Sequence, residues 1–353
     1  MPMAVYLIAL GAVLVLGRWL EGRSRGWYIL LMVLLHTALC GLRHPHLTGD
    51  LMKYHWEFLS AGQQSWMVFS KNPGFYWIMK GIYHLSGGNF QVFLLVSAAI
   101  SQMAAGWIIW KFSPAPWLSY LTLHCLGFYI FGFSAVKQAL GMAFVLLSFQ
   151  GIAENRPWLF LGMAAVAGWI HRPMLAILPA YALTWFRIDR QVLIGYVLLG
   201  VLLFLLREQA AALLGQAYYG ERVFSRYSGL GGRFFLILLI TGAGLLLRGT
   251  EDRSFGNLCH LMAVSALLQM LSGFDNVFTR LADVYLQFSV LYIPSMACLP
   301  GSGPLALNSR SRKLLAAGLA VCLIWFYYWT NLRVEIGNHL DNYLNFQFFW
   351  QER

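Results

Sequence analysis

Long apolar blocks follow one another along this chain, parted by short polar turns and by two longer polar stretches. The blocks fall at about 3–20, 27–42, 90–110, 117–132, 135–152, 158–170, 174–186, 191–206, 233–248, 255–273, 280–299 and 314–330. A helix needs roughly 20 residues to cross a bilayer, and fewer where the bilayer thins. The blocks therefore predict an all-α polytopic membrane helix bundle of about ten to twelve crossings. The pair flanking "HRP" (Trp169 to Leu175) is too short for two full spans and predicts a broken helix or a re-entrant pair. Residues 1–353 form a single membrane domain, with extracytoplasmic polar segments at 43–89 and 207–232 that hold amphipathic or re-entrant helices.

The turns alternate in character. Every second one is short and basic: Arg18, Arg23 and Arg25; Lys111; Arg156; Arg187 and Arg190; Arg248 and Arg253; Arg310, Arg312 and Lys313. Short Lys/Arg loops mark the cytoplasmic side, whereas long loops translocate largely regardless of charge. The two long segments, "HRP", "FSAVKQ", "FDNVFTR" and the C-terminal tail are thus expected in the periplasm or at the cell exterior of a bacterial inner membrane.

Composition sharpens the class. Of 353 residues, 59% are hydrophobic and only 11% charged, against about 25% charged in a soluble domain. A soluble fold of this length could not cover its surface with so few charges. The net charge of +11 suits anionic lipid headgroups, and no nucleic-acid motif accompanies it, so nucleic acid is not an expected partner. The five cysteines lie inside apolar runs without metal spacing and read as small core residues. The first apolar run lacks a basic n-region and a cleavage site and reads as a retained helix.

Against this background "GLRHPHLTGDLMKYHWEF" (41–58) is dense in polar groups. Asp50, Tyr54 and Glu57 are spaced i, i+4, i+7 and share a face if the segment is helical. A carboxylate there can accept a proton from a sugar hydroxyl, and Tyr54 can stack on or hydrogen-bond a sugar; a solvated interfacial helix shows the same pattern. In "FGFSAVKQALGMAF", Ser134 is the expected N-cap, and Lys137 and Gln138 occupy the first helical turn. There the macrodipole disfavours a cation unless an anion is near. His171 and Arg172 sit between two apolar runs, where ionisable groups mark function. Arg280, Asp283 and Gln287 form one polar stripe, as a mutual ion pair or as an anion site. Arg222 and Arg226, among Tyr218, Tyr219 and Tyr227, suit lipid phosphates or carbohydrate faces. There is no Walker loop, GxSxG, HExxH or DxD-type pair, so a transferase here would take a substrate activated by something other than a nucleotide.

In order and spacing, "LRHPHLTGDLMKYHWEF", "NPGFYWIMK", "SAVKQALGMAF", "GWIHRPMLAILP", "RLADVYLQFSVLYIP" and "NYLNF" resemble the EpsG-type family of Wzy-like polysaccharide polymerases. The resemblance implies joining of oligosaccharide repeat units carried on undecaprenyl pyrophosphate, outside the cytoplasmic membrane, in O-antigen, capsule or exopolysaccharide synthesis. The family's arginine, glycine and aspartate of the first loop fall on Arg43, Gly49 and Asp50. Two positions depart: Asn72 stands where the family often has glutamate before Pro-Gly-Phe, and Lys137 stands for an arginine, keeping charge without bidentate geometry.

The expected reaction is glycosyl transfer from a polyprenyl pyrophosphate to an acceptor hydroxyl. Asp50 is the candidate base or acceptor-orienting group. Arg43, Lys137, Arg172 and Arg280 are candidates to stabilise the pyrophosphate's charge. No cofactor or metal is called for. Membrane lipids, a flippase and a chain-length regulator are the expected partners. The rivals are a membrane acyltransferase with His171 as base and a flippase for lipid-linked sugars; a transporter should carry internal repeats, and the two halves show none.

Overall fold

The computed structural model describes residues 2–63, 72–219, 226–332 and 346–351. Among them the chain is helical, with a single isolated antiparallel bridge between Arg43 and Phe348 and no strand. The first two helices, α1 (Pro2–Leu20) and α2 (Arg25–Gly41), pack as a hairpin. Two shorter helices follow, α3 (Gly49–Gln63) and α4 (Pro73–Ser86), and then α5 (Phe90–Phe112) returns along α2. The block at 117–132 is α6 (Pro116–Cys125) and α7 (Phe128–Phe131), parted where Gly127 adopts a left-handed conformation (φ 87°). Such a conformation costs a residue without Cβ little.

Next come α8 (Val136–Ala153) and α9 (Pro157–Ile170), which form the largest helix–helix contact of the bundle. The "HRP" segment resolves as a 3-10 turn at Arg172–Ile177 and one short helix, α10 (Pro179–Leu183). It is therefore a broken, irregular passage rather than a second span. Pro173 and Pro179 explain this, since neither can donate a helical bond.

The second half continues with α11 (Arg190–Leu205), α12 (Arg207–Tyr219), α13 (Gly232–Leu247) and α14 (Arg253–Gln269). It closes with α15 (Asn276–Leu286), α16 (Ser289–Cys298) and α17 (Ser309–Tyr327). Part of the polar segment 207–232 is thus helical, α12 turning away from α11 by 89°; α15 and α16 bend by 50°.

Among the described residues, four helical segments are long and apolar enough to cross a bilayer: Phe90–Phe112, Val136–Ala153, Arg253–Gly273 and Ser309–Thr330. The two bent pairs raise this to six, fewer than the ten to twelve expected. The difference lies in length: the apolar stretches Tyr6–Leu20, Arg25–Gly41, Pro157–Ile170 and Gly232–Leu247 are shorter than these four. The molecule is an all-α polytopic membrane bundle whose outer face is apolar, as the exposed side chains of Val15, Val197, Leu239 and Val321 show.

The basic turns gather at one end and are stitched together there. Arg25 Nη2 donates to the carbonyls of Ile109 (3.1 Å), Trp110 (2.6 Å) and Ser113 (2.7 Å), clamping the end of α5. Lys111 and Arg156 both pair with Glu154. Exposed Trp19, Trp27, Trp110 and Trp158 flank these turns, as aromatic belts do at a membrane surface.

Glu21 belongs to this end. Its Oε2 accepts from the Trp117 amide at 2.9 Å, yet burial pushes its carboxyl up to about 7, against the lowering effects of that bond and of Arg25. Between pH 4.5 and about 7 the folded chain therefore holds a proton that the unfolded chain has lost, and stability falls as pH rises through that window. Glu21→Gln keeps an acceptor for Trp117. It is expected to flatten the pH dependence of the melting temperature, measured in detergent between pH 4.5 and 8.

Candidate functional site

At the opposite end, α3 and α4 lie on the bundle instead of leading away from it, because their apolar faces are aromatic. Tyr54 meets Phe75 edge-on (5.4 Å between centroids), Phe75 meets Phe93 of α5 (5.8 Å), and Phe58 packs on Phe90 and Phe93. The Thr48 hydroxyl accepts from the Leu51 amide (3.3 Å), so the helix starts at Gly49 as a capped turn. Gly74 lets α4 close on α9: a Cβ there would come within 2.6 Å of the Trp169 ring and 2.8 Å of its backbone. Asn72, just before α4, accepts through Oδ1 from the Arg172 amide (3.2 Å), tying the α3–α4 unit to the "HRP" turn. On α8, Gly141 leaves room for that same turn, since an added Cβ would lie 2.7 Å from Met174 and 3.3 Å from His171.

These contacts bring the separate motifs to one place. On α3, Tyr54 is buried, Glu57 half-buried and Asp50 exposed; the face against the bundle is that of Leu51, Tyr54, Phe58 and Ala61, with Asp50 and Glu57 toward its edge. Lys137, in the first turn of α8, holds its ammonium 5.9 Å from the Tyr54 ring centroid and 5.6 Å from that of Phe75. The charges of Glu57 and Asp50 act on it. The Tyr54 hydroxyl faces the Lys137 backbone; burial, and then Asp50 and Glu57, hold this phenol above its ordinary range, while Arg280 acts the other way. Burial, and then the charges of Lys137 and Arg280, push His171 down to about 3, so its imidazole is neutral at pH 7. Its Nδ1 is buried without a hydrogen-bond partner.

Asp50, Lys137, Arg172 and Arg280 form no ion pair with one another or with any other described residue. Glu57 does, with Lys53 at 4.0 Å one turn before it. A half-buried lysine, two exposed arginines and an exposed aspartate are thus left uncommitted around one patch. Such an arrangement can receive a multiply charged anion while keeping a carboxylate for a hydroxyl.

The remaining candidates lie otherwise. Arg43 is 1% exposed and turned into the bundle, where Nη1 donates to the Cys40 carbonyl and the guanidinium lies 5.8 Å from the Phe133 ring centroid. Its Nε and Nη2 have no partner. Its backbone is held by the chain's end, His44 N donating to Gln347 O (2.7 Å) and Phe349 N to Leu42 O (3.0 Å). Gln138 is buried and directs its amide at Met142 Sδ (3.7 Å), away from the patch. Ser134 caps nothing; the residue at the start of α8 is Ala135 and makes no side-chain cap.

The expected mutual pair of Arg280 and Asp283 is replaced. Asp283 is 1% exposed and its ion-pair partner is Arg233, from the start of α13. This leaves Arg280, whose charge also acts on Asp283, exposed toward His171 and Tyr54. Arg226 is exposed on a segment fastened to the turn before α15, where Tyr227 donates to the Met270 carbonyl (2.9 Å). Arg222 lies outside the described residues, as does most of "NYLNF".

Sequence reasoning passed over Arg233 and the anchoring role of Asn72. The available signal for Arg233 was a lone arginine opening an apolar helix. Among the described residues no group of three or more His, Cys, Asp or Glu could hold a metal ion. Among curated proteins and solved structures nothing matches the chain. The EpsG family model, however, matches residues 26–348, from the start of α2 to the strap over Arg43, and this chain belongs to the EpsG family.

Proposed function

We propose that this protein joins lipid-linked oligosaccharide repeat units during surface or exopolysaccharide synthesis, its site facing the periplasm or cell exterior of a bacterial inner membrane. The observation that carries this is the uncommitted set around α3: Asp50 with Lys137, Arg172 and Arg280, gathered from four separate stretches of the chain. Membership of the EpsG family supports a role in polysaccharide biosynthesis, and the basic turns at the opposite end support the orientation.

In the proposed reaction a hydroxyl of the acceptor repeat unit attacks the anomeric carbon of the chain carried on undecaprenyl pyrophosphate. The bond from that carbon to the phosphate oxygen breaks, and the electron pair leaves with the pyrophosphate. Asp50 takes the hydroxyl proton; Lys137, Arg172 and Arg280 stabilise the leaving charge. Tyr54, expected from the sequence to meet the sugar, is instead buried against Phe75 with its hydroxyl toward the Lys137 backbone, so it supports that cation from below. His171, neutral and weakly basic, serves better as a hydrogen-bond partner than as a proton acceptor. That weighs against an acyltransferase built on a histidine base.

Deleting the protein separates the classes. A polymerase loss leaves single lipid-linked repeat units facing outward, the outcome expected here. A flippase loss leaves them inside, and an acyltransferase loss leaves polymer length unchanged; either result overturns the proposal. A finer test is Arg172→Lys, which keeps the charge but loses a planar fork able to grip two phosphate oxygens. Polymer formation should drop with insertion unchanged, and full-length polymer would return Arg172 to a role at the membrane surface.

A further inference from the structure

Between α11, α13 and α14 lies a groove of about 540 Å³, open to the side. Helix α11 buries none of its residues, so the groove is the space by which this helix stands off from the bundle. The lining runs the height of the helices, from Ile188 and Leu245 beside the basic turns to Phe204, Leu230 and Met270 at the other end. The polar groups along it are engaged elsewhere. Thr241 Oγ1 donates to the Ile237 carbonyl (2.7 Å), the Tyr196 hydroxyl bonds His260 Nδ1 (2.6 Å), and Cys259 Sγ lies 3.9 Å from the Tyr292 hydroxyl. The wall offers dispersion contacts and no free hydrogen bond, which suits a hydrocarbon.

One end of this groove lies beside the ion pair that borders the charged patch. Phe234 lines it, and the preceding residue, Arg233, pairs with Asp283, one turn along α15 from Arg280. Phe204 lines it too and carries the Arg207 guanidinium 5.0 Å from its ring centroid. Arg207 also donates to the Phe204 carbonyl (2.9 Å), and the opposite end is furnished alike, with Arg248 paired to Asp252 and Arg253 donating to the Thr184 carbonyl (3.3 Å). What sets the first end apart is Arg280, exposed and in no ion pair with a described residue, one turn before Asp283; an apolar trough ending beside such a cation matches a long hydrocarbon chain bearing a phosphate head.

We infer that this groove holds the chain of a polyprenyl phosphate-headed lipid whose head enters the patch formed by Lys137, Arg172 and Arg280. The inference rests on the polymerase proposed above and names where its lipid carrier lies. Two glycines line the groove. A Cβ on Gly242 would meet nothing within 4 Å, and one on Gly200 would touch only Leu267 at 3.5 Å. A large side chain at 242 therefore fills the trough without moving backbone, and it raises helix propensity besides.

The test uses the full chain in phosphatidylcholine nanodiscs with a polyprenyl monophosphate carrying a photoreactive diazirine in its chain. Labelling is expected on α11, α13 or α14, and it should be competed by unlabelled polyprenyl monophosphate but not by equal phosphatidylglycerol. Gly242→Trp should lower it about tenfold, equivalent to about 1.4 kcal/mol, and Gly242→Ala should leave it unchanged. Equal competition by phosphatidylglycerol would make the occupant ordinary bilayer lipid and overturn the inference. So would labelling elsewhere, or a Gly242→Trp protein labelled like the unsubstituted one. The two proposals fail separately. Labelling of other faces, in a protein whose deletion accumulates outward single repeats, sinks the groove alone. Labelling of the groove, in a protein whose deletion leaves polymer length unchanged, supports the groove and sinks the polymerase.

Discussion

Asp50→Asn lowers polymer formation by about 10²–10⁴-fold, the scale expected when a general base is removed, and lipid-linked single repeats accumulate. The substitution preserves size and most hydrogen bonding while removing the charge and the proton acceptor. Asp50 is exposed and forms no ion pair with a described residue, so the fold has little to lose. Exposed substitutions of this kind usually stay within about ±0.5 kcal/mol of stability. Activity and stability should therefore separate, and both are measurable: polymer length in cells at ordinary expression, and melting of the purified protein. Asp50→Glu is expected to retain part of the activity. Glu57→Gln is the internal comparison, since Glu57 is already engaged by Lys53 and should matter less. Normal polymer length in cells carrying Asp50→Asn rejects the base outright, and α3 is then a solvated surface helix.

Arg233→Ala should be the most destabilising single change near the site. It strips the ion-pair partner from Asp283, a carboxylate that is 1% exposed. Breaking a buried pair from one side costs about 3–5 kcal/mol, because a charge is left without compensation. Arg280 acts on the same carboxylate and offsets part of the loss, which places the expectation near the lower bound, about 3 kcal/mol. The double substitution Arg233→Ala with Asp283→Leu removes both charges and should recover most of the stability, since an apolar replacement of a buried pair is often neutral. Unfolding in mixed micelles gives all three values. If the single variant melts like the unsubstituted protein, the pair is not what holds α13 to α15.

The helical class, the membrane setting and the positions of most apolar helices were legible from periodicity and block length. Burial in a bilayer requires those runs whatever their neighbours do. The i, i+4, i+7 face of Asp50, Tyr54 and Glu57 was equally legible, because helical spacing alone places three side chains together. The breaks were less so. Gly127 parts one block into α6 and α7, and two prolines dissolve another into a 3-10 turn; only the packed bundle reveals which punctuation ends a helix.

Pairing was decided by tertiary structure alone. Asp283 has a nearer cation in sequence, Arg280, yet takes Arg233 from another helix. Arg43, three residues from His46 in the same polar stretch, turns inward under the chain's end instead of joining Asp50. A sequence states which charges exist and which helical face each occupies. Which of them lie within reach of one another depends on how whole helices meet. Here that meeting was set by apolar contacts, Phe75 on Phe93 and Gly74 under Trp169, that carry no charge themselves.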